Sequence, residues 1–182
     1  RETFGARFEI NAEFNNFNFK SITSYTDTDS DRHTDVDLTQ LWFFNTFRPE
    51  TMEVFTQEFR FSSNSDGPLQ WVGGLYLMDF EETMNSYLDF GWIILEADDP
   101  SIHVQVPFET RREEKGNLAA FGNVTYEVGA WEWGLGLRID RWESDEEAVD
   151  IGHSASKDDV EVLPKISLTR HFNNDSMAYL TV

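Results

Sequence analysis

From Val54 to Phe80, apolar and polar residues trade places at nearly every step. Phe55, Gln57, Phe59 and Phe61 fall on one side; Thr56, Glu58, Arg60 and Ser62 fall on the other. Ser65-Asp66-Gly67-Pro68 interrupts the pattern, and Leu69, Trp71, Leu75 and Leu77 then alternate with Gln70, Gly74 and Tyr76. A period of two on both sides of a short Gly/Pro connection predicts a β-hairpin. Its charged side does not suit a dry core, and Gln57 is out of place on its apolar side.

The pattern recurs along the chain. Phe4, Ala6, Phe8, Ile10, Ala12 and Phe14 oppose Arg7, Glu9, Asn11 and Glu13; an Asn15-Asn16 turn leads to a strand over about Phe17–Thr28. Leu118, Ala120, Val124, Tyr126 and Val128 form another strand, and Gly129-Ala130 turns it into Trp131, Trp133, Leu135, Leu137 and Ile139. Val160 to Phe172 follows, with Pro164 expected to mark a bulge. Asn173-Asn174-Asp175 then turns the chain into a last strand, Met177–Val182, where it stops inside a strand-like run; the chain also begins inside one, which suggests a piece of something longer. Long polar segments separate the hairpins at Asp27–Glu50, at Glu81–Glu114 (holding either a helical turn or an extra strand) and at Glu143–Asp158.

Eight strands of roughly 10–13 residues thus alternate short turn and long loop, the arrangement of an antiparallel barrel in an outer membrane. The apolar face is then expected to meet lipid. Glu58, Arg60, Arg138, Asp140 and Lys165 are expected to line an aqueous or plugged lumen. Phe14, Phe17, Trp71, Tyr126, Trp131, Trp133 and Phe172 all lie close to short turns, where an interfacial aromatic girdle belongs.

Composition narrows the choices. Aromatics reach 15 % with sixteen Phe and six Trp, a mixture suited to strands and membrane interfaces. A formal net charge of −20 argues against nucleic acid and anionic phospholipid as partners. No apolar run approaches the roughly 18 residues of a transmembrane helix, and no signal peptide is visible. The lack of Cys removes disulfides and thiolate metal sites.

Several segments resemble the barrel of TonB-dependent outer-membrane receptors: Ser21-Ile22-Thr23-Ser24-Tyr25, Thr56-Gln57-Glu58-Phe59-Arg60-Phe61, Trp71-Val72-Gly73-Gly74-Leu75-Tyr76, Ala119-Ala120-Phe121-Gly122-Asn123-Val124, Gly136-Leu137-Arg138 and Leu163-Pro164-Lys165-Ile166-Ser167-Leu168. Their order covers about Ser21 to Val182. The resemblance implies that residues 1–182 are about eight consecutive strands of a transmembrane β-barrel of about 22 strands, with the plug domain, TonB box and remaining strands elsewhere. It also implies a multi-pass protein of the bacterial outer membrane, set among lipid and lipopolysaccharide. Such a receptor imports a scarce nutrient, most often a ferric siderophore, with energy relayed by TonB; its ligand is a small molecule or metal chelate.

Sharper chemical readings compete with blander ones. Asp27, Asp29, Asp31, Asp35 and Asp37 resemble the start of a calcium loop. Arg32 stands where an EF-hand needs Gly, though, and Leu38 where it needs Glu, so a polar strand extension with at most loose affinity for divalent cations is expected. His33, His103, His153 and His171 lack metal-ligand spacing; His33 with Trp42 and Phe43 fits a ligand-binding loop no better than an ordinary surface loop that carries such residues idly, so no ligand-binding residue is assigned. Glu58 with Arg60, and Arg138 with Asp140, fit a wall ladder of charges or plug contacts better than a catalytic pair. No nucleophile elbow, phosphate loop or paired-acid motif appears, so neither an enzyme nor a cofactor is expected. The alternatives are a self-contained eight-stranded barrel with an adhesin or structural role, an outer-membrane enzyme, and a soluble carbohydrate-binding sandwich. Pairing of the first strand with the last would identify the small barrel.

Overall fold

The computed structural model describes residues 1–40, 43–172 and 176–182, so Trp42 and the Asn173-Asn174-Asp175 turn lie outside the described residues. The eight strands are β1 (Glu2–Glu13), β2 (Phe17–Asp35), β3 (Phe44–Ser63), β4 (Leu69–Gly91), β5 (His103–Val128), β6 (Trp131–Ala148), β7 (His153–His171) and β8 (Met177–Thr181). They form one antiparallel sheet in chain order. No pairing joins β1 to β8 among the described residues, so the narrow self-closed barrel does not form.

The sheet is a single layer. Ala119 is its one buried hydrophobic residue among those described, while Phe8 and Leu135 stand 64 % and 60 % exposed on the apolar face. A soluble sandwich would cover that face with a second sheet; here no protein layer covers it.

Most strands outrun the expected 10–13 residues. β5, with 26 residues, extends over ~85 Å at about 3.3 Å per residue. The polar segments read as loops are largely continuations of the ladder: Asp27 to Asp35 lie in β2, Glu81 to Gly91 in β4 and Glu143 to Ala148 in β6. Once both faces are polar the hydropathy period disappears, but backbone pairing persists. Between β4 and β5, residues 92–102 form turns; a short 3-10 turn, Val149–Ile151, separates β6 from β7.

At the opposite end the connections are tight. Gln70 Nε2 donates to the carbonyls of Ser65 (2.7 Å) and Gly67 (2.9 Å), and the Ser63 hydroxyl donates to Gln70 Oε1. Gly129 adopts φ 59°, which lets the β5–β6 turn close in two residues.

Pro164 causes no bulge, because the β6–β7 register runs through it unbroken. Ile166 exchanges both backbone bonds with Val182. Pro164, two residues away, turns its ring nitrogen to the same side, away from β6, so no β6 bond is lost. The register shift in the β4–β5 ladder falls between Ser86 and Tyr87, where Phe108 is the extra residue. Asp150, from the 3-10 turn, accepts the Thr110 N–H just past the last β5–β6 rung, Arg111 with Ala148.

Candidate functional site: the two faces of the sheet

The register aligns charges on the polar face into two neighbouring rows. One carries Glu9, Glu58, Asp140 and Glu161; the next carries Lys20, Arg60 and Arg138. Pairs close between the rows: Lys20 with Glu9 at 2.7 Å, Arg60 with Glu58 at 2.6 Å and Arg138 with Asp140 at 2.7 Å. Residues two apart on a strand share a face, so the i, i+2 spacing seen in the sequence is what permits two of these contacts. The exposed pairs contribute little to stability.

Arg138 and Asp140 are different, because the Asp140 side chain is 4 % exposed and bound bidentately by the guanidinium. Asn117 Nδ2 adds a third donor at 3.3 Å. The Arg138 guanidinium lies 5.8 Å from the Tyr76 ring centroid and 6.0 Å from that of Phe121, within cation–π range. Gly74 makes room for Phe121: a Cβ there would stand 2.7 Å from Phe121 Cζ and 2.3 Å from the Phe59 carbonyl oxygen. Arg138, Asn117, Tyr76 and Phe121 line an open trough of about 880 Å³ that also reaches Trp142 and Lys165. Asn117 Oδ1, buried in its wall, has no hydrogen-bond partner.

The seven expected girdle residues share the opposite, apolar face, toward the short turns. Phe14 stacks on Phe17 with ring centroids 4.6 Å apart. Tyr126 and Trp133 are register partners, and Arg170 lies over both Trp131 and Phe172. Gln57, the misfit on this face, is bonded to Thr23 and Ser21.

Toward the long connections the apolar face ends in one register row of carboxylates. Asp27, Glu53, Glu81, Glu114 and Asp145 stand directly opposite one another across five adjacent strands. Nothing in single-strand periodicity signalled this row; it emerges only when register is known.

The chemistry of the long connections is mostly self-contained. Asp37 Oδ1 accepts the Thr39 hydroxyl at 2.6 Å and its N–H at 3.0 Å, and Oδ2 accepts the N–H groups of Phe43 and Phe44. The Thr39 hydroxyl, then the Phe44 N–H, hold this carboxyl below the ordinary aspartate value. Asp99 is likewise lowered, first by the Ser101 N–H and then by its hydroxyl. His33 stacks on Phe47, and His103 Nδ1 lies 2.9 Å from Asp89, which is 2 % exposed. His153 opens β7, and His171 Nε2 lies 3.9 Å from Glu132. Among the described residues no group of three or more His, Asp or Glu is arranged to hold a metal ion.

A one-layer antiparallel sheet with an uncovered apolar face, a charge-paired polar face and unpaired edges is a section of barrel wall. The family profile described as TonB dependent receptor-like, beta-barrel matches residues 1–182, and the chain belongs to that family. The family's members are transport receptors of the bacterial outer membrane. No curated protein matches the chain. Among solved structures it is similar to the ferric yersiniabactin uptake receptor FyuA from Yersinia pestis (17 % identity, TM-score 0.76). It is also similar to the ferric citrate transporter FecA in the unliganded form (17 %, 0.71) and the copper transporter OprC (13 %, 0.73). Each match covers 98 % of this chain but only 27 %, 27 % and 29 % of the other. The chain therefore spans under a third of the length of these structures, and the likeness concerns the fold.

Proposed function

We propose that residues 1–182 are part of the barrel wall of an outer-membrane active-transport receptor, which binds a scarce nutrient such as a ferric siderophore and imports it with energy relayed by TonB. The observation carrying this reading is the division of the single sheet into an uncovered apolar face and a face of paired charges. An apolar face of this kind is stable against lipid, and a charged face of this kind is stable against water or a polar plug. Phe14, Phe17, Trp71, Tyr126, Trp131, Trp133 and Phe172 form the interfacial girdle. Glu58, Arg60, Arg138, Asp140 and Lys165 face the lumen. The remaining strands, the plug domain and the TonB box lie elsewhere in the polypeptide. FyuA and FecA are described as handling ferric chelates and OprC as transporting copper, which supports a metal chelate as the cargo class.

The test is uptake of radiolabelled iron(III) chelates by cells carrying the full-length receptor. Accumulation that stops when a protonophore collapses the proton-motive force is the expected result. Accumulation indifferent to the protonophore, or no greater than in cells lacking the receptor, overturns the reading.

A further inference from the structure

The apolar face is divided by charge along the strands. Its described strands carry three arginines, and two of them stand toward the long connections, near the carboxylate row. Both are paired: Arg112 lies 4.0 Å from Glu147, and Arg141 meets Glu143 at 2.6 Å and Asp158 at 3.1 Å. The third, Arg170, stands at the short-turn end, register partner of Trp131 on β6 and Ala178 on β8. Among the described residues it has neither a carboxylate partner nor a hydrogen-bond acceptor, although the chain carries 34 acidic residues. Along β7 the first carboxylate on the same face is Asp158, twelve residues away, ~40 Å.

Rings hold this guanidinium in place. It lies 4.9 Å from the Trp131 ring centroid and 5.2 Å from that of Phe172, within cation–π range. Stacking of this kind uses the flat face of the guanidinium and leaves its N–H edge for an acceptor outside the sheet. Aromatic rings beside a charge suit a membrane interface, where one end of the ring is apolar and the other wet. A shallow groove of about 430 Å³ lies farther up the same face, lined by Trp71, Val124, Leu135 and Leu137 over Gly122. Leu135 is four residues from Trp131, ~13 Å. An acyl chain crossing half of a hydrocarbon core ~30 Å thick covers that distance. A phosphate accepts the guanidinium edge, whereas a headgroup ammonium would need a carboxylate, and this end of the face has none among the described residues. The net charge of the whole chain, which argues against anionic phospholipid, does not describe this end of the face.

We propose that Arg170, backed by Trp131 and Phe172, is the docking point for the phosphate of an anionic glycerophospholipid of the phosphatidylglycerol type. One acyl chain of that lipid lies in the groove over Gly122. Short turns of outer-membrane barrels face the periplasm, so the lipid belongs to the periplasmic leaflet. This rests on the barrel-wall reading for its lipid-facing side and is independent of the cargo and of TonB.

Native mass spectrometry of the purified full-length receptor in detergent, with phosphatidylglycerol or phosphatidylethanolamine added, counts the lipids that stay bound. Arg170→Gln should retain one phosphatidylglycerol fewer than the parent and the same number of phosphatidylethanolamine molecules. Arg170→Lys keeps the charge but loses the planar fork, so its retention should be intermediate. Arg141→Gln, toward the other end of the face, should retain as much phosphatidylglycerol as the parent. Excess inorganic phosphate should leave the lipid bound. Equal phosphatidylglycerol retention by the parent and Arg170→Gln, the same loss in Arg141→Gln, or displacement by inorganic phosphate overturns the docking point. A receptor that stays folded and monodisperse after detergent is removed would overturn the barrel-wall reading itself.

Discussion

Thr23 and Gln57, register partners on β2 and β3, are joined by a 2.6 Å hydrogen bond from Thr23 Oγ1 to Gln57 Oε1. The other end of the carboxamide donates to Ser21 Oγ at 3.0 Å and to the Glu58 carbonyl at 3.2 Å. Gln57 is thus the centre of a polar cluster on the apolar face, flanked by Phe55 and Phe59. Within lipid a polar group without a partner costs more than one with a partner, so the three side chains are tolerable together and not singly. Gln57→Leu alone should destabilise the receptor by about 1–3 kcal/mol, because it strands two hydroxyls. The combined Ser21→Ala, Thr23→Val, Gln57→Leu replacement should return close to the starting stability. Denaturant unfolding of the full-length receptor in lipid bilayers measures both; a triple variant no better than the single one would refute the cluster.

The carboxylate row Asp27–Glu53–Glu81–Glu114–Asp145 makes a different prediction. Directly opposed like charges destabilise a sheet, and Glu81 has an acidic neighbour on each side. Glu81→Gln should therefore stabilise the receptor by a few tenths of a kcal/mol up to about 1 kcal/mol. The gain should shrink as salt screens the row. Unfolding at low and high ionic strength decides it; destabilisation at low salt would show that the row is neutralised in some other way.

Much of this was legible in the chain because one face of each strand must be apolar. Phe4 to Phe14 and Trp131 to Ile139 advertise their period, and Gly129 their turn. Strand ends were not legible: Asp27 to Asp35 keeps its pairing through residues whose two sides are equally polar, so hydropathy carries no period there. The ion pairs Glu58–Arg60 and Arg138–Asp140 followed from i, i+2 spacing alone. Gln57, the acidic row and the Arg170–Trp131 contact did not, since each depends on which residues of different strands share a register. That information resides in strand pairing, not in any one segment.

Gly74 is where backbone, ring and charge meet. Gly74→Ala would drive a methyl group into the Phe59 carbonyl and the Phe121 ring. A loss of about 1–3 kcal/mol is expected. Because the carbonyl cannot be trimmed, adding Phe121→Ala should not restore stability. Displacing Phe121 also removes one of the two rings beside Arg138, while the bidentate bond to Asp140 remains. Full recovery in the double variant would mean that the ring alone occupies the space above Gly74.

Asp37 ties the start of the β2–β3 connection to the first residues of β3 through the N–H groups of Phe43 and Phe44. Its carboxyl is held below the ordinary value, chiefly by the Thr39 hydroxyl and next by the Phe44 N–H, so the folded connection favours the charged form. A lowered folded-state value contributes stability above the unfolded value of about 3.9. That contribution is lost as pH falls through the lower, folded value. Amide exchange at Phe43 and Phe44, corrected for its intrinsic pH dependence, should therefore stay slow at neutral pH and accelerate only in strong acid. Asp37→Asn keeps one acceptor oxygen and loses the other, so it should speed exchange at these two amides already at neutral pH and abolish the acid transition. Slow exchange that persists in the Asn variant would show that the connection is held by contacts other than this carboxylate.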